Sequence, residues 1–218
     1  MQELPDFEKR WEFENGFYFT SPPQRIAKLL SHWELYQQAS DVPGEIVECG
    51  VFKGASLIRF ITFRELTTLP FGKKVVGFDT FGEFPETEYE NDKQNREAYI
   101  ENAGSESITI SQLNEVLDNK GINQNVELVE GDINETVPEY LDNNPELRIS
   151  LLHVDVDIYE PSNTIMESLF PKVVNNGIVI FDDYGDFDGE STAVEEHIGD
   201  NYDLRSMPYG IRGAYLVK

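Results

Sequence analysis

Apolar blocks alternate with amphipathic stretches along most of this chain. Five blocks read as strands: GEIVECG (44–50), KKVVGFDTF (73–81), NVELVEGD (125–132), RISLLHVDVD (148–157) and NGIVIFDDY (176–184). Several are continuous apolar runs rather than alternating ones, the pattern of parallel strands covered on both faces. YDLRSMPY (202–209) and GAYLVK (213–218) follow, close enough together for a hairpin. Helix signals fill the gaps. Residues 22–39 place Ile26, Leu29, Leu30, Trp33 and Tyr36 at helical spacing after SPP, and residues 54–66 carry Leu57, Ile58, Ile61 and Leu66. A helix over 161–170 starts at Pro161 and sets Ile165 and Leu169 on one face, before Pro171 and NNG turn the chain. A shorter helix is expected over 191–198.

This order predicts an α/β fold: a doubly wound, mostly parallel, seven-stranded sheet ending in an antiparallel C-terminal hairpin. One domain over 1–218 is expected, with residues 1–42 as an N-terminal helical cap. Residues 82–124, between the second and third strands, exceed what a simple crossover needs. Their acidic first half carries Phe84, Tyr89 and Tyr99, and reads either as a surface helix pair or as a lid over a site.

In open α/β sheets ligands bind beyond the carboxyl ends of the strands. There the first strand runs into ECGVFKGAS (48–56), where Gly50 and Gly54 bracket a tight strand-to-helix turn. The spacing is not that of the dinucleotide fingerprint, and no Walker lysine follows. The second strand ends at Asp79, placed to accept hydrogen bonds from ribose hydroxyls. The third ends at Asp132, which is either a ligand-side acid or the N-cap of the next helix. Together, the glycine turn and two acids describe an adenosine-binding edge. The fourth and fifth strands supply Asp155 and Asp157, then Asp182 and Asp183. If these strands are neighbours, their acids meet, and three oxygen ligands suit a hard divalent cation such as Mg²⁺. Zinc fits less well, because His32, His153 and His197 show no ligand spacing and there is one cysteine. His153 reads as a satisfied strand residue and Glu160 as a helix cap or solvent-facing acid, while Asp157 is either one more acid of the cluster or such a cap.

Composition narrows the setting. With 39% hydrophobic and 12% aromatic residues the chain is globular. No apolar run approaches the roughly 20 residues of a membrane span. The N-terminal MQELPDFEKRWEFENG lacks the basic and apolar regions of a signal peptide. Cys49 has no internal disulfide partner and reads as a reduced core residue. A cytoplasmic protein is the expectation. The net charge of −24 weighs against nucleic acid or an anionic membrane as partner. It fits either a solvated acidic surface or a need for cations.

VPGEIVECGVFKGAS, GFDTFGEFPE, GDINETVPEYL, LLHVDVDIYEPSNTIMESLFPKVVNNGIVIFDDYG and AVEEHI resemble, in that order, the TylF-type macrocin O-methyltransferases. The resemblance runs from about Pro43 to the C-terminus. It implies a class I, S-adenosylmethionine-dependent enzyme that methylates a sugar hydroxyl or a glycosylated natural product with Mg²⁺. By the same resemblance Glu48, Gly50 and Ser56 line the methionine part of the cofactor, Asp79 holds the ribose, and Asp132 lies near the adenine. Asp155, Asp182 and Asp183 would bind Mg²⁺, with Asp155 also assisting proton removal. The family commonly forms oligomers, so a homo-oligomer is implied alongside a small-molecule hydroxyl acceptor. Thr80 departs from the serine common in the family, and the 82–124 and N-terminal parts match it poorly. Two rivals come from other classes. One is a metal-dependent glycosyltransferase using Asp155-Val-Asp157 as a D-x-D motif, which leaves the second acid pair unexplained. The other is a methyltransferase-like binding protein that has lost transfer.

Overall fold

The computed structural model describes residues 3–67 and 72–218, so Met1 and Gln2 of the predicted cap fall outside the described residues. Seven strands form one sheet: β1 Glu45–Cys49, β2 Val75–Asp79, β3 Val126–Glu130, β4 Ile149–Val154, β5 Val173–Phe181, β6 Arg205–Ser206 and β7 Ala214–Val217. Their spatial order is β3-β2-β1-β4-β5-β7-β6, with β7 antiparallel to β5 and β6. The doubly wound sheet and its antiparallel end match the expectation. β6 does not reach its expected length, since only two of residues 202–209 pair in the sheet. Pro208 has no N–H to donate to a ladder and Tyr209 takes φ 60°, which ends the strand.

Eight helices are described: α1 Arg10–Thr20, α2 Pro23–Ala39, α3 Ala55–Thr67, α4 Glu90–Ala103, α5 Ile110–Lys120, α6 Ile133–Asn143, α7 Tyr159–Ser168 and α8 Asp188–Ile198. Side chains alternate across a strand, and here each face carries its own core. Val47 and Cys49 of β1, with Leu152 and Val154 of β4, pack with Val137 of α6, Ile165 of α7 and Val194 of α8. Ile46 of β1, Leu151 of β4 and Ile180 of β5 pack with Leu35 of α2, Phe60 of α3 and Leu113 of α5.

The alternation fixes the polar residues too. Glu48 follows Ile46 by two positions and His153 follows Leu151 by two, so both point into the α2–α3 layer. The β1–β4 register sets them side by side as Glu48 and His153. The sheet reverses its direction of growth between β1 and β4, and loops leaving that point open a crevice at the carboxyl ends of the strands.

The 82–124 segment contains the helix pair α4 and α5. It also forms one wall of that crevice, through Phe84, Tyr99 and Ser107. Two sets of contacts anchor it, at Asp92 and Glu160, and Arg96 braces it from within. Asp92 accepts from the backbone N–H of Tyr159 and of Gly189, Arg96 donates to the carbonyls of Phe84 and Pro85, and Glu160 accepts from Thr87 and Tyr89. Glu160 therefore neither caps α7 nor simply faces water, as its sequence context suggested. It braces the inserted segment.

Candidate active site at the β1–β4 switch point

A cavity of about 500 Å³ opens at the carboxyl ends of β1, β2, β4 and β5. One half is built around the turn from β1 to α3. Gly50 has φ 89° and lies so close to the next strand that a Cβ there would overlap the carbonyl oxygen of Asp155. Gly54, at φ 80°, completes the turn, and only glycine takes that conformation without strain. The Asp79 carboxylate at the end of β2 fixes the same turn. Its Oδ2 accepts from the N–H of Val51 at 2.8 Å and of Phe52 at 2.9 Å, and its Oδ1 from the N–H of Phe81 at 2.7 Å. Both oxygens are thus engaged by backbone, although the residue lines the cavity.

Ser56, in the first turn of α3, lines the cavity and donates from Oγ to Glu48 Oε1 at 2.7 Å. Glu48 itself is fully buried under the turn and does not line the cavity. Asp132 caps α6 by accepting from the N–H of Asn134 at 2.9 Å, and also borders the cavity. Both readings of that residue are therefore compatible with its position.

The other half is acidic. Asp155 lies one residue beyond β4, while Asp182 and Asp183 follow β5, and each of the three offers an oxygen within 4.8 Å of the others. The strand expected over 148–157 ends at Val154, so the two acids of DVD sit in the loop that leaves it. Asp157 has φ 65° and is buried, and no side chain caps α7. It neither caps a helix nor faces bulk water, and it joins the acids lining the cavity. Glu190 of α8 lies behind them, fully buried, with Oε1 accepting from the N–H of Asp183 at 3.1 Å. Nothing in the sequence marked Glu190, an acid on the inner face of a helix.

Five carboxyl groups this close resist ionisation together. Burial, then the charge of Asp182, pushes Asp155 up from its ordinary pKa; burial and Asp155 do the same to Asp157. Burial with neighbouring carboxylates also raises Asp183 and Glu190 well above the usual range. Asp182 goes the other way. Burial opposes its ionisation, but the neighbouring His153 and His32 imidazoles, 3.6 and 3.7 Å away, and the Lys28 ammonium outweigh it and hold the carboxyl well below the usual range. His153 stands 3.5 Å from Glu48 and 3.6 Å from Asp182, and these acids outweigh its burial to raise it to about 10. His32, stacked on Phe60, is lowered by burial to about 4 and is neutral. His153 is thus more than a satisfied strand residue: it bridges the acid under the glycine turn to the acid after β5.

The acids fit a hard divalent cation. The donor set is all oxygen, the cluster is short of positive charge, and Asp183 Oδ2 and Glu190 Oε2 are buried without a hydrogen-bond partner. The cavity is also of a size that takes a cofactor-sized ligand, roughly 300–1,000 Å³.

Sheet order, glycine turn and cavity together define a Rossmann-like, class I methyltransferase. Residues 23–202 match the family described as Macrocin-O-methyltransferase (TylF), and the chain belongs to that family. A calicheamicin methyltransferase of known crystal structure is 33% identical, with a TM-score of 0.81 over 99% of this chain and 86% of its own. The apo structure of a TDP-rhamnose 3'-O-methyltransferase of calicheamicin biosynthesis is 32% identical, with a TM-score of 0.70 over 99% and 88%. A curated relative from Streptomyces olivaceus is 28% identical over 166 residues, 74% of this chain. It is the 8-demethyl-8-(2,3-dimethoxy-alpha-L-rhamnosyl)-tetracenomycin-C 4'-O-methyltransferase, and the match spans 60% of its length. Among the described residues no helix is long and apolar enough to cross a membrane.

Proposed function

We propose that this protein transfers the methyl group of S-adenosylmethionine to a hydroxyl of a sugar or of a glycosylated natural product, with Mg²⁺ at the acids. The observation that carries the reading is one cavity with a glycine turn on one side and Asp155, Asp182 and Asp183 on the other. The methyltransferases it resembles in sequence and fold, two of them named for rhamnose chemistry, support the same class.

Gly50, Ser56, Asp79 and Asp132 would hold the cofactor, with Glu48 fixing Ser56 from below. Asp155, Asp182 and Asp183 would hold the cation, which when bound supplies a Lewis acid that lowers the pKa of a chelated hydroxyl. The cofactor supplies a methyl group on a sulfonium leaving group. The chain's own task is alignment: it must hold the acceptor oxygen opposite that methyl group and keep water away. The walls formed by Phe84, Tyr99 and Ile133 exclude water, and the Asp155 carboxylate accepts the hydroxyl proton.

The test is a calorimetric titration with S-adenosylhomocysteine in Mg²⁺ and again in EDTA, followed by sugar diols. The expected result is micromolar cofactor binding in both buffers and diol binding in Mg²⁺ only. No cofactor binding in either buffer overturns the reading. Cofactor binding with no transfer to any sugar acceptor would instead leave a binding protein on a methyltransferase fold.

A further inference from the structure

This chain has 17 Lys and Arg against 41 Asp and Glu, yet four of the basic residues line one cavity: Arg25, Lys28, Lys53 and Arg59. Two are accounted for. Lys28 pairs with Asp182, and Lys53 donates to the backbone carbonyl of Glu106. The guanidinium groups of Arg25 and Arg59 make no hydrogen bond or close ion pair with any described residue.

Their placement is specific. Arg59 is half-buried in α3, three positions beyond Ser56, so it lies one turn deeper than the cofactor side of that helix. Arg25 stands three positions before Lys28 on α2, on the same side of the helix. Because Lys28 reaches Asp182, Arg25 sits one turn outward from the acid cluster, exposed at the mouth of the cavity. Burial pulls the Arg59 pKa down, and the charge of Arg25 adds to this, so the two guanidinium groups feel each other. Asp182, Glu48 and Asp155 act on Arg59 through space without contacting it.

The distant charges of Asp182 and Glu48 offset the repulsion from Arg25, but neither guanidinium has an anion in direct contact to offset its desolvation. A guanidinium fork matches a phosphate bidentately, and two forks match a diphosphate. The wall they occupy adjoins the acids of β4 and β5, the acceptor side of the cavity. The adenosine edge at Asp79 and Asp132 lies away from it, across β1.

We infer that Arg25 and Arg59 form an anion subsite for a phosphate ester carried by the acceptor, a sugar 1-phosphate or a nucleoside diphosphate sugar. The phosphate then lies along the α2–α3 wall while the sugar hydroxyls face Asp155, Asp182 and Asp183. This rests on the methyltransferase reading for its acceptor, but the subsite can be tested without it. Its ligand would be a sugar methylated before transfer to its final carrier, so the reaction that consumes the product is a glycosyl transfer.

The experiment is calorimetric titration of inorganic pyrophosphate, glucose 1-phosphate and thymidine diphosphate into the full chain in EDTA, so that no cation bridges the phosphate to the acids. Wild type, Arg25→Met and Arg59→Met are compared, and S-adenosylhomocysteine is titrated into each. Loss of one charge-assisted contact should weaken phosphate binding about tenfold or more in each variant. Cofactor-product affinity should stay within about twofold, which also shows that the variants are folded. Tighter binding of the diphosphates than of glucose 1-phosphate assigns the nucleotide-linked source; equal binding assigns the monophosphate.

Unchanged phosphate affinity in both variants overturns the subsite, as does the absence of phosphate binding in wild type. If Arg59→Met weakens S-adenosylhomocysteine and not pyrophosphate, the anion is the cofactor's own carboxylate and the proposal falls. Should Arg59→Met fail to fold, the exposed Arg25→Met decides alone. Pyrophosphate binding without any S-adenosylhomocysteine binding would keep the subsite and remove the methyltransferase reading.

Discussion

Gly189 donates its backbone N–H to Asp92 Oδ1 at 2.9 Å, and it sits so close that a Cβ at this position would overlap the Asp92 carboxylate. The pair ties α4 of the inserted segment to the start of α8, directly behind the cavity wall. Asp92 is fully buried, and burial raises its carboxyl above the usual range against the two N–H groups it accepts. Gly189→Ala should push α4 away and cost about 1–3 kcal/mol, the usual toll of overpacking. A chain of this size loses roughly 2–4 °C of Tm for each kcal/mol. A thermal melt that matches wild type would mean that the segment is not anchored through this contact.

Gly50 makes a similar demand on the other side of the site. The sequence marks Gly50 as part of a tight strand-to-helix turn, and the structure gives the reason that only glycine fits there. A Cβ meets the carbonyl of Asp155 before it meets any ligand. Gly50→Ala should therefore displace the β1 turn and the acid loop together, weakening both S-adenosylhomocysteine and Mg²⁺ binding. Calorimetry showing one affinity lost and the other intact would contradict this coupling.

Glu48 and His153 are both fully buried and neighbours across β1 and β4. Removing one partner of a buried ion pair strands the other, at about 3–5 kcal/mol. Glu48→Ala should carry that cost in denaturant unfolding and also free the Ser56 hydroxyl. Glu48→Gln also strands His153 but keeps an acceptor for Ser56, so it should lose less than Glu48→Ala by about the worth of one hydrogen bond, roughly 1 kcal/mol. Equal losses in the two variants would show that the charge, not the hydrogen bonding, holds this part of the core.

The proposed reaction gives Asp155 two roles, cation ligand and proton acceptor, and Asp157 stands two residues away in the same loop. Asp155→Asn and Asp182→Asn should each weaken Mn²⁺ binding, followed by electron paramagnetic resonance, by about tenfold or more while leaving cofactor-product affinity in place. Asp157→Asn should leave Mn²⁺ affinity nearly unchanged. If it also abolishes transfer to a sugar acceptor, the proton goes to Asp157 and Asp155 is a ligand alone.

Most of the frame was legible along the chain. Apolar blocks, several of them continuous, marked β1 to β5, and β2 and β4 are buried throughout because both of their faces are covered. The acids closing β2, β4 and β5 stood out because carboxylates at the ends of such runs are costly without a partner. Boundaries were less legible: DVD looked like strand, yet the backbone turns at Asp155, and β6 shrank to two residues.

What the sequence by itself determined was therefore the sheet, its doubly wound order and the set of acids at its carboxyl edge. Only the tertiary structure decided which groups meet them. Lys28 lies 154 positions from Asp182, Glu160 lies 71 from Tyr89, and Glu190 reaches Asp183 from the inner face of a helix. Strand pairing and the period-two alternation bring Glu48, His153 and the wall bearing Arg25 and Arg59 to one crevice. No local pattern encodes those meetings, because they depend on register across neighbouring strands and on how two helix layers settle on opposite faces of the sheet.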